Sequence, residues 1–208
     1  RSLEVLGTYF RLAAAPGSSA KRAFLEMTER RYLSVGALPG LPYVCIRIPT
    51  GGGKTLVAAH AAALAIREYL RADRGVVLWL VPSNVIKDQT LAALRDPAHP
   101  YRQALQEQLG GGAMSVLELA EALYVQRSVL DGETTVIVST LAALRVENTD
   151  GRKIYESAGA LQHHFTGLTP ELEGRLERDE HGAVACSLAN VLRLRRPVAI
   201  MDEAHNAR

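Results

Sequence analysis

Ile48-Pro49-Thr50-Gly51-Gly52-Gly53-Lys54-Thr55 is the stretch on which the reading of this chain turns. Before it lies Tyr43-Val44-Cys45-Ile46-Arg47-Ile48, an apolar run that reads as a buried strand. After it, Leu56-Val57-Ala58-Ala59-His60-Ala61-Ala62-Ala63-Leu64 reads as a helix. Strand, glycine-rich turn, Gly-Lys-Thr and helix form the context that a phosphate-binding P-loop needs. Glycine lets the backbone wrap an anion with no Cβ in the way. The amides of the turn and of the first helical residues then point at phosphate, and the helix dipole adds to the attraction. On this reading Thr50, Gly51, Gly52, Gly53, Lys54 and Thr55 hold a nucleotide, Lys54 reaching the β/γ-phosphates and the Thr55 hydroxyl sitting on Mg²⁺. The strict pattern starts with Gly where this chain has Ile48, but the Gly-Lys-Thr core is intact. The competing reading is a plain glycine turn before a surface helix, with Lys54 merely solvated.

The far end of the chain decides between them. Val198-Ala199-Ile200-Met201 reads as a strand, and Asp202-Glu203-Ala204-His205 comes next, at its tip. In an open parallel sheet, ligands gather at the carboxyl ends of the strands. Asp202 is there to hold Mg²⁺, through a water, because that ion keeps much of its hydration shell. Glu203 is there to orient and deprotonate an attacking water. Alone, Asp-Glu after a strand is a weak signal, since it also suits a strand-end cap. Together with Pro-Thr-Gly-Gly-Gly-Lys-Thr it is specific, provided that Lys54, Asp202 and Glu203 converge on one metal-triphosphate site.

The 208 residues suffice for one sizeable α/β domain, and 48% hydrophobic residues exclude a disordered or fibrous chain. A net charge of +2 gives no argument for nucleic acid by itself. Cys45 and Cys186 lack metal-ligand spacing, which fits a reduced, cytoplasmic setting; Cys45 reads as a small buried apolar residue. No apolar run approaches the ~20 residues of a membrane span, and no secretory signal is visible. Because the chain starts at Arg1 and stops at Arg208 directly after a motif, it reads as a piece of a longer protein.

Along the chain, a helix is expected over 20–33, capped by Ser18 or Ser19, with Lys21, Arg22, Arg30 and Arg31 on a wet face that suits solvent better than nucleic acid. The P-loop helix extends to about Ala72. Val76–Val81 reads as a strand covered on both faces, and Ser83 or Asn84 as the cap of a helix through Leu94. Next come a short helix over 101–109, a strand over 114–117, a helix over 118–130 and a β-branched strand over 134–139. A region near 147–185, polar and poorly periodic, reads as an insertion; His163-His164 within it suits a solvated or packed pair better than a metal site. Leu188–Arg195 reads as a helix that Pro197 stops.

Taken together, these motifs resemble the first RecA-like domain of a superfamily-two helicase or translocase of the DEAH type. The resemblance is closest to the restriction subunit of type III restriction enzymes. Pro49 to Thr55 resembles motif I, and Asp202 to His205 resembles motif II; both are specific. Trp79-Leu80-Val81-Pro82-Ser83-Asn84 with Lys87-Asp88-Gln89-Thr90 resembles motif Ia, and Val136-Ile137-Val138-Ser139-Thr140-Leu141 sits where motif Ib-like contacts are expected; both are weak patterns. The resemblance implies a RecA-like P-loop NTPase fold, a mostly parallel sheet flanked by helices, over 40–208 behind a helical segment 1–39. It implies ATP and Mg²⁺ as cofactors, Lys54 and Glu203 as catalytic residues, Thr55 and Asp202 on the metal, and a coupling role for His205. It implies backbone contacts to nucleic acid, most simply double-stranded DNA, from Ser83, Asn84, Lys87, Ser139 and Thr140, with a modification or other restriction-system subunit as a further partner. Ser83 suits a helix cap equally well, and Ser139 and Thr140 a strand-end turn. No Gln precedes Gln89, so an adenine-reading glutamine upstream of the P-loop is missing. Motif III, a second RecA-like domain and an arginine finger are also missing, so the 208 residues alone are expected to bind Mg-ATP weakly and hydrolyse it poorly. The alternative is a P-loop ATPase switch or scaffold that does not act on nucleic acid.

Overall fold

The computed structural model describes residues 1–36, 38, 40–49, 51–144 and 153–202. In chain order its principal elements are α1 (Ser2–Ala13), α2 (Ala20–Thr28), α3 (Lys54–Leu64), β1 (Val76–Val81), α4 (Asn84–Arg95), α5 (Pro100–Gln108), β2 (Met114–Glu118), α6 (Leu119–Ala122), α7 (Arg127–Gly132), β3 (Thr134–Thr140), α8 (Leu141–Leu144), α9 (Pro170–Glu173), α10 (Leu188–Arg195) and β4 (Val198–Met201). They pack as two units, one of Arg1–Asp73 with Pro100–Gly111 and one of Arg74–His99 with Gly112–Arg208.

The first unit is helical. Ala59, Ala62 and Ala63 recur on one face of α3 and are fully buried, and Ala104 and Leu105 of α5 are buried as well. That i, i+3, i+4 spacing of small side chains gives α3 a smooth stripe, which packs against α5 and α1. Leu6, Tyr9 and Phe10 of α1 complete this core, and the rings of Tyr9 and Phe24 meet edge to face at 6.3 Å. The Ser19 hydroxyl accepts the Arg22 N–H at 3.2 Å and so starts α2. That helix ends at Glu29, whose φ of 57° is left-handed, so it is shorter than the 20–33 expected. Past α3 the backbone widens into a π-turn, Ala65–Tyr69, closed by a 3.0 Å bond from Leu70 N–H to the Ala65 carbonyl.

Residues 43–48 correct the sequence reading. They form no strand, and Tyr43, Val44 and Ile46 are exposed. Cys45, expected in the core, is exposed too. An apolar run specifies a strand only once a neighbouring backbone takes up its amides and carbonyls, and run composition does not report that neighbour. Here the Tyr43 N–H is engaged by a side chain: it donates to the Tyr32 hydroxyl, which donates in turn to the Leu41 carbonyl, both at 2.6 Å.

The second unit holds a four-stranded sheet in the order β2-β3-β1-β4. All its pairings are parallel. Val76–Val81 and Thr134–Thr140 occupy the centre and are buried on both faces apart from Leu78 and Thr140, as continuous apolar and β-branched runs predict. Trp79 is fully buried. The expected helix over 118–130 is instead two short turns: Glu118 belongs to β2, and Gln126 starts α7 afresh. Between the strands and α10 lies a core of Ile137, Leu130, Leu161, Leu188 and Val191. Ile154 and Leu161 come from within 147–185, so the described part of that region buries apolar side chains despite its polar composition.

One buried side chain ties this region down. Asn190 of α10 has no exposed surface. Its Oδ1 accepts the Glu177 N–H at 3.0 Å, and its Nδ2 donates to the carbonyls of Glu177 and Ala185 at 2.8 Å each. Arg193 donates to the same Oδ1 at 2.9 Å and pairs with the Glu177 carboxylate.

Candidate functional site

In the first unit the glycine turn has the conformations that its sequence demands. Gly51 and Gly53 have φ of 80° and 73°, where side chains are strained. The Gly52 N–H donates to the Pro49 carbonyl at 3.0 Å, and Gly53 caps α3, its carbonyl accepting the Val57 N–H at 2.9 Å. Lys54 and Thr55 are therefore the first two residues of an 11-residue helix that opens straight from a left-handed glycine. A Cβ on Gly52 would lie 2.5 Å from the Ile48 side chain and 3.0 Å from the Pro49 carbonyl, so the turn has no room for one. Thr50 lies outside the described residues.

In the second unit the parallel register brings the carboxyl ends of the strands to one edge. Val81 faces Thr140, Leu80 faces Met201, and the Asp202 N–H continues the ladder to the Leu80 carbonyl at 2.9 Å. Asp202 is thus at the same edge as Ser139 and Thr140. Glu203 and His205 lie outside the described residues.

The candidate nucleic-acid residues sit largely around one cleft of about 470 Å³ at this edge, lined among others by Asn84, Lys87, Glu118, Ser139, Thr140 and Lys153. Their side chains already have local duties. The exposed Ser83 hydroxyl accepts the Ile86 N–H at 3.4 Å and caps α4. Thr140 Oγ1 accepts the Ala143 N–H at 3.3 Å at the start of α8. Ser139 is 1% exposed and donates to the Thr140 carbonyl at 3.2 Å. Lys87 pairs with Glu118 and lies 3.6 Å from Asp88. The hydrogen bond to Glu118 holds the Lys87 ammonium above the usual lysine range, against partial burial.

The histidine pair packs into the fold. His164 is 4% exposed, and its Nε2–H donates to the Val125 carbonyl at 2.9 Å. Burial pushes its pKa down, so the neutral ring is favoured. The His163 ring accepts the Arg127 N–H at 3.0 Å. Among the described residues no group of three or more His, Cys, Asp or Glu is arranged to hold a metal. Sequence reasoning missed Glu118, because its partner lies 31 residues away and no local pattern marks such a pair.

The family profile described as type III restriction enzyme, res subunit, matches residues 22–208. That match covers most of the chain. The chain belongs to the type III restriction enzyme res-subunit family. Members of this family carry an ATP-dependent, helicase-like motor domain of RecA-like fold, and the parallel sheet flanked by helices agrees with it. The family generally uses ATP with Mg²⁺. No curated protein and no solved structure matches the chain. Among the described residues no helix is long and apolar enough to cross a membrane.

For a res-subunit chain, the tight turn at Gly52 makes a direct test. Gly52→Ala is expected to weaken ATP binding about tenfold, because the backbone must shift where amides should meet phosphate. Titration with a fluorescent ATP analogue measures this, and a thermal melt checks that the strained turn leaves the variant folded.

Proposed function

We propose that this chain is the ATP-binding motor domain of a DNA translocase or helicase that works in a type III restriction system. The observation that carries the reading is the glycine turn of Gly51–Gly53 running into α3, with Lys54 and Thr55 at the helix start. The turn fits a phosphate chain: it is left-handed where glycine is required and leaves no room for a Cβ at Gly52. Thr55 and Asp202 offer hydroxyl and carboxylate oxygens, the hard donors that Mg²⁺ prefers. In this reading residues 40–208 are the motor domain behind a helical segment 1–39. Lys54 neutralises the terminal phosphates, Thr50 and the three glycines cradle them, and Thr55 and Asp202 bind the metal. Glu203 orients the attacking water and accepts its proton, and His205 couples the site to the track. Bound Mg-ATP supplies the phosphoryl group whose transfer to water drives movement. Asn84 and Lys87 touch backbone phosphates of double-stranded DNA at the cleft, with Ser139 and Thr140 in its wall and Ser83 beside it at the start of α4. The setting is cytoplasmic, beside a modification subunit.

A second reading, a P-loop ATPase switch without a nucleic-acid track, draws support from the local duties of Ser83, Thr140 and Lys87. Steady-state ATPase with and without duplex DNA separates the two. The motor reading expects stimulation of about tenfold or more by duplex, since an idle motor gains nothing by hydrolysing ATP. An unchanged rate with single-stranded DNA, duplex and RNA alike would favour the switch.

A further inference from the structure

Lys87 lines the cleft and carries a charge that suits a phosphate, yet it is already engaged. It belongs to α4, its side chain is 17% exposed, and it pairs with the Glu118 carboxylate at the end of β2. Asp88, 3.6 Å away, is mostly exposed and so contributes a weaker, screened attraction. The other described lysine lining the cleft is Lys153. Among the described residues, the Lys87 ammonium is thus compensated by Glu118 in the lining and more weakly by Asp88 beside it. A phosphate approaching the cleft meets a lysine whose charge is already compensated.

Resting on the nucleic-acid reading above, we propose that Glu118 is a gating residue: its carboxylate holds Lys87 until a backbone phosphate displaces it, and so it sets the affinity of the cleft for the track. The two acceptors are chemically alike, each an anionic oxygen taking a charge-assisted bond from the same ammonium. Exchange is therefore available without moving the backbone. It also makes binding depend on a competition, so the track is held only where enough other contacts accompany the phosphate at Lys87. A motor that must release its track in each cycle gains from such an internal competitor. Glu118 is equipped to stay in place when Lys87 leaves, because its backbone N–H is held by the Glu121 carboxylate at 2.6 Å and Glu121 is paired with Arg95.

The test measures binding of a short fluorescein-labelled DNA duplex by anisotropy across a salt series, using the whole chain. Glu118→Gln keeps shape and acceptor but removes the charge; it should tighten binding about two- to fivefold, the size of a partly exposed ion pair. Lys87→Met should weaken binding and flatten the slope of log K against log salt by about 0.9, one duplex phosphate. The double variant should match Lys87→Met alone, because the glutamate acts through the lysine. Asp88→Asn should change affinity less than Glu118→Gln. Tightening by Glu118→Gln that persists in the Lys87→Met background would overturn the gate, since the effect would then be net charge alone. So would an unchanged affinity in Glu118→Gln when Lys87→Met has weakened binding. If Lys87→Met binds duplex like the wild type, or the wild type does not bind at all, the nucleic-acid reading of the cleft falls and the gate falls with it. Thermal melts check that each variant is folded.

Discussion

Replacing Lys54 by alanine is expected to lower ATP turnover by about 10² to 10³, with little change in stability. Lys54 is the first residue of α3, directly after the left-handed Gly53. In the proposed function its ammonium offsets charge that builds on the phosphates as the bond to the leaving group breaks. Without it, on the same reading, that charge has to develop against the backbone amides and the metal ion alone. Alanine is a better helix former than lysine, so the start of α3 should not suffer. Phosphate release at saturating ATP measures the first effect and a thermal melt the second. A variant that turns over ATP at the wild-type rate would remove Lys54 from the chemistry and leave only the solvated-lysine reading.

The largest effect on stability is expected from Asn190→Ala, about 3 kcal/mol. The side chain satisfies the N–H of Glu177 and the carbonyls of Glu177 and Ala185 from a fully buried position. Alanine would leave the Glu177 N–H without its partner, take the second donor from the Glu177 and Ala185 carbonyls, which keep the Ala185 and Ser187 N–H groups, and leave Arg193 with Glu177 alone. The orphaned Glu177 N–H carries a desolvation penalty, and the lost amide leaves a buried void and two weakened carbonyl contacts, which is why the sum exceeds that of a surface hydrogen bond. Urea unfolding should show a lower midpoint at unchanged slope. Asn190→Asp should also destabilise, since it keeps an acceptor for the Glu177 N–H but cannot donate to the two carbonyls. A shift under 0.5 kcal/mol, about the size of a neutral surface substitution, would mean that water takes over these groups and that the segment is not anchored here.

How much of the fold was legible in the sequence depends on how local each signal is. Val76–Val81 and Thr134–Thr140 stand out because a strand buried on both faces must be apolar throughout, and both are. Ser83 as the cap of α4 is equally local, as is the glycine turn, whose residues only glycine can supply at φ near 75°. The run over 43–48 shows the limit. Its composition is that of a strand, yet strand formation is a relation to a neighbour, and the Tyr43 N–H is taken by a tyrosine eleven residues earlier. Lys87 with Glu118, and Asn190 with residues 177–185, were invisible for the same reason. Each joins groups brought together by the fold, and polar residues at those positions look like any solvated side chain until the partner is known.

The π-turn after α3 has a consequence for how this helix tolerates change. A widened turn holds one residue more than a regular one, which is the footprint of a single-residue insertion absorbed without breaking the helix. Removing one residue from Ala65–Tyr69 is expected to return it to ordinary pitch and keep the residues after the cut close to their present faces, whereas a deletion in the regular turns of α3 would rotate them by ~100°. The ring of Tyr69, 6.3 Å from that of Phe10, marks the difference: a deletion within the wide turn should disturb α1 less than one within α3.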